Sequence, residues 1–252
     1  MLRQVFSPGA RAVAQREWRQ YLESPLGVVF SVIFLGALAH LSFEPGRGSL
    51  FVRGQADLLP VFDHLPWLFA FFIPALAMRT WAEERKSGTI ELLLTLPLPT
   101  LAAVWGKFWA AWKLLGLILL GTFPLPLTVA ILGSPDWSAI FTGYLGAWLL
   151  AGQMLALALL ASASSKGQVT SFILGSLVNV VFLLWDAPAL VDLLNDVLPS
   201  FALALLENLS LLRHFDPWVK GVVRLGGVLQ ALGLMSVTLW LTAQLIERVK
   251  AR

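Results

Sequence analysis

The chain has 252 residues, of which 58% are hydrophobic and 13% charged, with a formal net charge of +3. Soluble domains are about 45–50% apolar and about 25% charged. This composition, with a mean hydropathy of +0.77, therefore excludes a soluble globular domain and a disordered chain, and points to a polytopic membrane protein solvated by lipid. The small net charge gives no case for nucleic acid, and the absence of cysteine excludes disulfides, thiolate metal sites and cysteine nucleophiles.

The first 24 residues carry Arg3, Arg11, Arg16 and Arg19 and no long apolar run, so no cleaved signal is expected and the whole chain is read as mature. Within them, residues 7–24 read as an amphipathic interfacial helix. Ser7-Pro8 supplies a capping hydroxyl and a proline at the first helical position. Val13, Ala14, Trp18, Tyr21 and Leu22 fill one half of the wheel, and Gln15, Arg16, Arg19 and Gln20 the other. Glu17 breaks the pattern by facing the apolar half. Such a helix belongs at the headgroups.

A spanning helix needs about 20 apolar residues, and six candidate stretches follow: Pro25–Phe43, Leu65–Trp81, Val104–Leu132, Trp137–Ala161, Gln168–Trp185 and Val222–Ile246. Pro74 lies inside the second, and Pro124 and Pro126 are expected to interrupt the third near its far end. Gly27, Ser31 and Gly36 in the first are candidates for close helix packing. A short turn at Ser162–Gly167 joins the fourth and fifth. The long segment 186–221 between the fifth and sixth is expected to form two interfacial helices, over Leu190–Leu198 and Ala202–Leu212.

With six spans both termini share a side. Only Arg47, Arg53, Arg213, Lys220 and Arg224 of the 18 basic residues fall opposite them, so the termini are expected in the cytoplasm. Lys107 and Lys113 sit near the cytoplasmic end of the third span, where their stems can snorkel.

The centres of the spans carry no ionisable residue. Ser31, Thr122, Gln153, Ser171, Ser176, Asn179 and Thr238 are weakly polar and read as interhelical glue. No metalloprotease, serine-hydrolase or phosphate-binding loop motif is present: Gly106-Lys107 is followed by Phe108, not Ser or Thr. The chain is therefore expected to have no enzyme activity or nucleotide site of its own, and no bound cofactor or metal.

The informative segment is 82–103. A helix running out of the second span should stop at Gly88, with Arg85 and Lys86 complementing its dipole. Thr89 can cap a short leucine-rich helix with Glu91 in its first turn, which Pro97 and Pro99 end. The run Arg79-x-x-Ala82-Glu83-Glu84-Arg85-x-x-Gly88-Thr89-x-Glu91-Leu92-Leu93, then Leu96-Pro97 and Gly106-Lys107-Phe108, resembles the ABC-2 type permease family. It is most similar to the gliding-motility-associated and nitrous-oxide-reductase-maturation branches. Arg16-Glu17, Ser24-Pro25 and His214-Phe215-Asp216-Pro217 with Gly221 fit the same pattern.

The resemblance implies an all-α, type V-like exporter fold: a single permease domain over 1–252 with six transmembrane helices, in a bacterial cytoplasmic (inner) membrane. It implies pairing with a second permease subunit, as a homodimer or heterodimer, and with two copies of a separate P-loop ATPase that hold ATP and Mg. Glu83, Glu84, Arg85, Gly88, Thr89, Glu91 and Leu92 would form or support the coupling contact. A different class is a non-transport membrane module that transmits force or signal to an outer-side or periplasmic protein through segment 186–221. A motor-independent channel or carrier is disfavoured by the lack of buried charge.

Overall fold

A computed structural model describes residues 8–44, 55–88, 99–185, 187, 191–192, 199 and 207–250, and among them the regular structure is helical. In chain order the helices are α1 (Pro8–Glu23), α2 (Pro25–Phe43), α3 (Leu59–Lys86), α4 (Thr100–Gly121), α5 (Pro124–Leu132), α6 (Trp137–Ser164), α7 (Gln168–Leu184), α8 (Leu211–Val219) and α9 (Leu225–Lys250).

Four stretches are long and apolar enough to cross a membrane: α3, α4 with α5 as a single run of 33 residues, α6 and α9. A fifth counts if α1 and α2, bent by 68° at Ser24, are taken as one broken span. At 17 residues, α7 is a shorter apolar helix, about 26 Å long at 1.5 Å per residue. The protein is thus a multi-pass helical membrane protein.

Several boundaries move from those expected. The second stretch grows at both ends, from Leu65–Trp81 to Leu59–Lys86: Pro60 suits the first turn, a charged last turn runs on to Lys86, and Pro66 and Pro74 are tolerated inside because neighbouring helices pack against the freed backbone. The third begins at Thr100 rather than Val104 and breaks at Thr122-Phe123, where Pro124 starts α5 at a position that needs no N–H donor. The sixth runs over Leu225–Lys250. In segment 186–221 a helix starts at Leu211, with the Ser210 hydroxyl accepting from the Arg213 N–H, where a helix closing at Leu212 was expected. Leu190 and most of the remaining stretch lie outside the described residues.

The core sits around α6. Of its most apolar window 78% is buried, which suits a sequence rich in Ala, Leu and Gly with little polar surface to hydrate. It packs against α3, α4, α7, α8 and α9. Two indoles join it to α4: Trp112 and Trp148 stack with centroids 4.2 Å apart. The Trp112 Nε1–H donates to the Trp148 carbonyl at 2.8 Å, and Trp148 Nε1–H to the Trp112 carbonyl at 3.4 Å. Gln153 donates to Gln230 Oε1 at 2.6 Å, joining α6 to α9. Thr122 and Tyr144 share a hydrogen bond of 2.7 Å.

The expected polar glue is therefore Gln153 and Thr122. Ser31 and Thr238 instead donate to carbonyls of their own helices, Gly27 and Leu234. Ser171, Ser176 and Asn179 are buried without a hydrogen-bond partner among the described residues. Gly27 is used inside the subunit: a Cβ there would collide with the Tyr21 carbonyl of α1. Among the described residues nothing stands within 4 Å of a Cβ at Gly36, which lies beside the exposed Val28, Val29, Val32 and Ile33.

Candidate functional site

The charged chemistry gathers at one end of the bundle, where α3 stops and α4 starts. Helix α4 carries Gly106-Lys107-Phe108 there, and each residue has a separate task. Phe108 is fully buried in the core. Gly106 lets α1 lie directly on α4: a Cβ at this position would stand 2.8 Å from the Ala10 carbonyl oxygen and 2.9 Å from Val13 Cβ. Lys107, only 3% exposed, donates from Nζ to Glu17 Oε1 at 3.0 Å and to Glu84 Oε1 at 2.7 Å. Its third donor reaches the Thr80 carbonyl at 3.5 Å, and the Trp81 ring lies beneath it, 5.0 Å from nitrogen to centroid.

This arrangement corrects two expectations. Lys107 does not snorkel to water; it is held inside by two carboxylates, which is how a buried ammonium survives desolvation. Glu17 does not violate the amphipathic pattern of α1 without cause, because its position on the apolar side is what brings it to Lys107. Alongside, burial of the Tyr21 hydroxyl and the neighbouring Glu17 charge push its pKa well above the ordinary phenol value, against a hydrogen bond with Thr80.

The next residue of α3 points the other way. Arg85 Nη2 donates to the Ala163 carbonyl at 2.6 Å and Nη1 to the Ser165 carbonyl at 3.4 Å. These oxygens belong to the end of α6, where carbonyls lack intrahelical partners and a cation complements the dipole. Ser162 Oγ packs onto the α3 backbone, accepting from Trp81 and Ala82 N–H at 3.3 Å. The last turns of α3 are therefore tied to α1 and α4 through Glu84 and to the α6–α7 turn through Arg85.

Of the other residues singled out from sequence, Glu83 is exposed and makes an i,i+4 pair with Arg79 at 3.9 Å. Gly88 ends the turn after α3 with φ of 73°, a left-handed conformation that glycine adopts without penalty. Thr89, Glu91 and Leu92 lie outside the described residues. The structure thus separates two groups that the sequence placed together: Glu84 and Arg85 are inward braces, while Glu83 and Gly88 sit at the surface. Lys107 and Glu17 were missed as site residues. The signal that could have found them is the pair of local violations, a glutamate on an apolar helix face and a lysine inside an apolar span.

Among the described residues no group of three His, Cys, Asp or Glu side chains could hold a metal ion. A family model described as ABC-2 family transporter protein matches residues 11–243. No curated protein matches the chain.

Proposed function

The chain belongs to the ABC-2 family of transporter proteins, and from that membership we propose that it is the permease subunit that couples a separate ATPase to export across a bacterial inner membrane. The proposed assembly has two six-span permease subunits and two P-loop ATPase subunits, with α2 and α7 counted as spans and α1 lying on the cytoplasmic surface. ATP and Mg belong to the ATPase. The Gly36 face of α2, being open and apolar, is offered for subunit pairing.

The observation that carries the coupling role is the clasp at the root of segment 89–98. A displacement of that segment acts on the end of α3, and through Glu84–Lys107–Glu17 and Arg85–Ala163 it acts at once on α4, α1 and the end of α6. A rigid root lets a push on a loop become movement of spans instead of local bending. Glu83, Gly88, Thr89, Glu91 and Leu92 are assigned to the contact with the ATPase, and Glu84 and Arg85 to its support.

The test is co-purification with the cognate ATPase and ATP turnover in the assembled complex. Glu83→Lys with Glu91→Lys should release or uncouple the ATPase while membrane insertion stays normal. Unchanged binding, turnover and export would leave Glu83 and Glu91 without a part in coupling and the clasp as a purely structural brace. Reporter fusions after Arg252 and within 192–208 should read opposite sides; an external C-terminus would overturn the six-span arrangement.

A further inference from the structure

A second feature lies on the lateral face, away from the clasp. Helices α4 and α6 diverge to leave an open groove of about 800 Å³ whose walls are almost wholly apolar, including Leu117, Leu120, Phe123, Phe141 and Leu145. Helix α1 crosses one end of it, placing Gln15 and Trp18 there beside Lys113. Lys113 Nζ stands 4.3 Å from the Trp18 ring centroid, and no carboxylate is within ion-pairing reach of it among the described residues. Pro126 and Trp137 also line it.

We propose that this groove holds an acyl chain of an anionic phospholipid of the inner leaflet, with the lipid phosphate at Lys113. The dimensions support it. From Lys113 to the end of α4 at Gly121 is eight helical residues, about 12 Å at 1.5 Å each, and Phe123 lies just beyond, so the groove reaches about the depth of one leaflet of a hydrocarbon core about 30 Å thick. The polarity supports it too, with a single cation and a carboxamide where the interfacial helix marks the headgroup level, and hydrocarbon walls beyond. An amphipathic helix and an exposed cation at that level attract anionic lipid. A second copy of the chain fits less well, since an isologous contact apposes the same patch twice and offers Lys113 no acid. The inference rests on the inside-facing orientation of α1 proposed above, but not on the coupling role.

The test is native mass spectrometry of the full chain purified in detergent without the ATPase, titrated with dioleoyl-phosphatidylglycerol or dioleoyl-phosphatidylcholine. The wild type should retain the anionic lipid about fivefold more strongly, the factor that ~1 kcal/mol from one cation near the bilayer surface provides. Lys113→Gln should bring the ratio close to one, and Lys113→Arg should keep it. Leu120→Trp, which fills the groove from an exposed position, should lower retention of both lipids. Equal retention by the wild type, or a ratio indifferent to Lys113→Gln, would overturn the proposal. So would a Leu120→Trp variant that loses subunit association while lipid retention is unchanged, which would make the groove a protein interface. Because the ATPase is absent, failure of the coupling role leaves these readouts untouched.

Discussion

Lys107→Met should undock the N-terminal helix. The substitution removes the cation from between Glu17 Oε1 and Glu84 Oε1, which lie 3.0 and 2.7 Å from its nitrogen. The two carboxylates then sit within about 6 Å of each other, where unit charges repel by about 3 kcal/mol at an effective dielectric of about 20. Removing one partner of a buried pair costs about 3–5 kcal/mol in measured cases, which agrees. At about 1.4 kcal/mol per factor of ten, the population with α1 detached should rise by about two orders of magnitude or more. The absence of native cysteine makes this measurable without background. Val13→Cys, on the α1 face against Gly106, reports docking through its rate of maleimide labelling in membranes. The rate should be slow in the Val13→Cys chain and much faster when Lys107→Met is added. Adding Glu17→Leu and Glu84→Leu should slow it again, since an apolar replacement of the whole cluster removes the stranded charges. Equal labelling with and without Lys107→Met would refute the argument that this ion pair holds α1 in place.

Gly106→Val should loosen the same helix by overpacking, with a cost of about 1–3 kcal/mol read as a lower thermal midpoint in detergent, because the Ala10 backbone carbonyl cannot yield as a side chain would. Gly88→Val should cost about 1–2 kcal/mol of local backbone strain and reduce ATP turnover in the complex, while Gly88→Asn should be nearly neutral; among the described residues a Cβ at this position meets nothing, so the loss expected is one of backbone conformation. Gln230→Leu should destabilise the α6–α9 contact by about 0.6–1.7 kcal/mol, and adding Gln153→Leu should recover most of it, as measured by resistance to unfolding in mixed micelles. Alkaline titration gives a further check. With the Tyr21 phenol raised in the folded state, the folded form holds its proton more tightly, so stability should be flat near neutrality and fall above about pH 10, the ordinary phenol pKa. Tyr21→Phe should show a shallower fall, and parallel curves would remove the phenol from the docking surface.

The multi-pass helical class, the helix that opens the chain at Pro8–Glu23 and the helix stop at Gly88 were legible in the sequence, because each depends on local quantities: mean hydropathy over a membrane's thickness, a single amphipathic period, and one residue free to take positive φ. The resemblance carried by Glu83–Leu93 and Gly106–Phe108 was also local, and the family match agrees with it. The roles inside the motif were not legible. Nothing in the order Glu83-Glu84-Arg85 says that the first faces water, the second meets Lys107 and the third reaches the end of α6. Successive helical residues point about 100° apart, and which direction is inward depends on where α1, α4 and α6 lie. Lys107 read as a snorkelling surface lysine and Glu17 as a flaw for the same reason: taken separately each is an exception to an apolar pattern, and only their 3.0 Å approach turns two costs into one buried ion pair. The Trp112–Trp148 pairing and the groove beside it likewise needed two helices, α4 and α6, set at a particular depth against each other. Hydrophobicity selects the elements residue by residue, but partners for buried charges and the shape of an open face are set by contacts between residues distant in the chain.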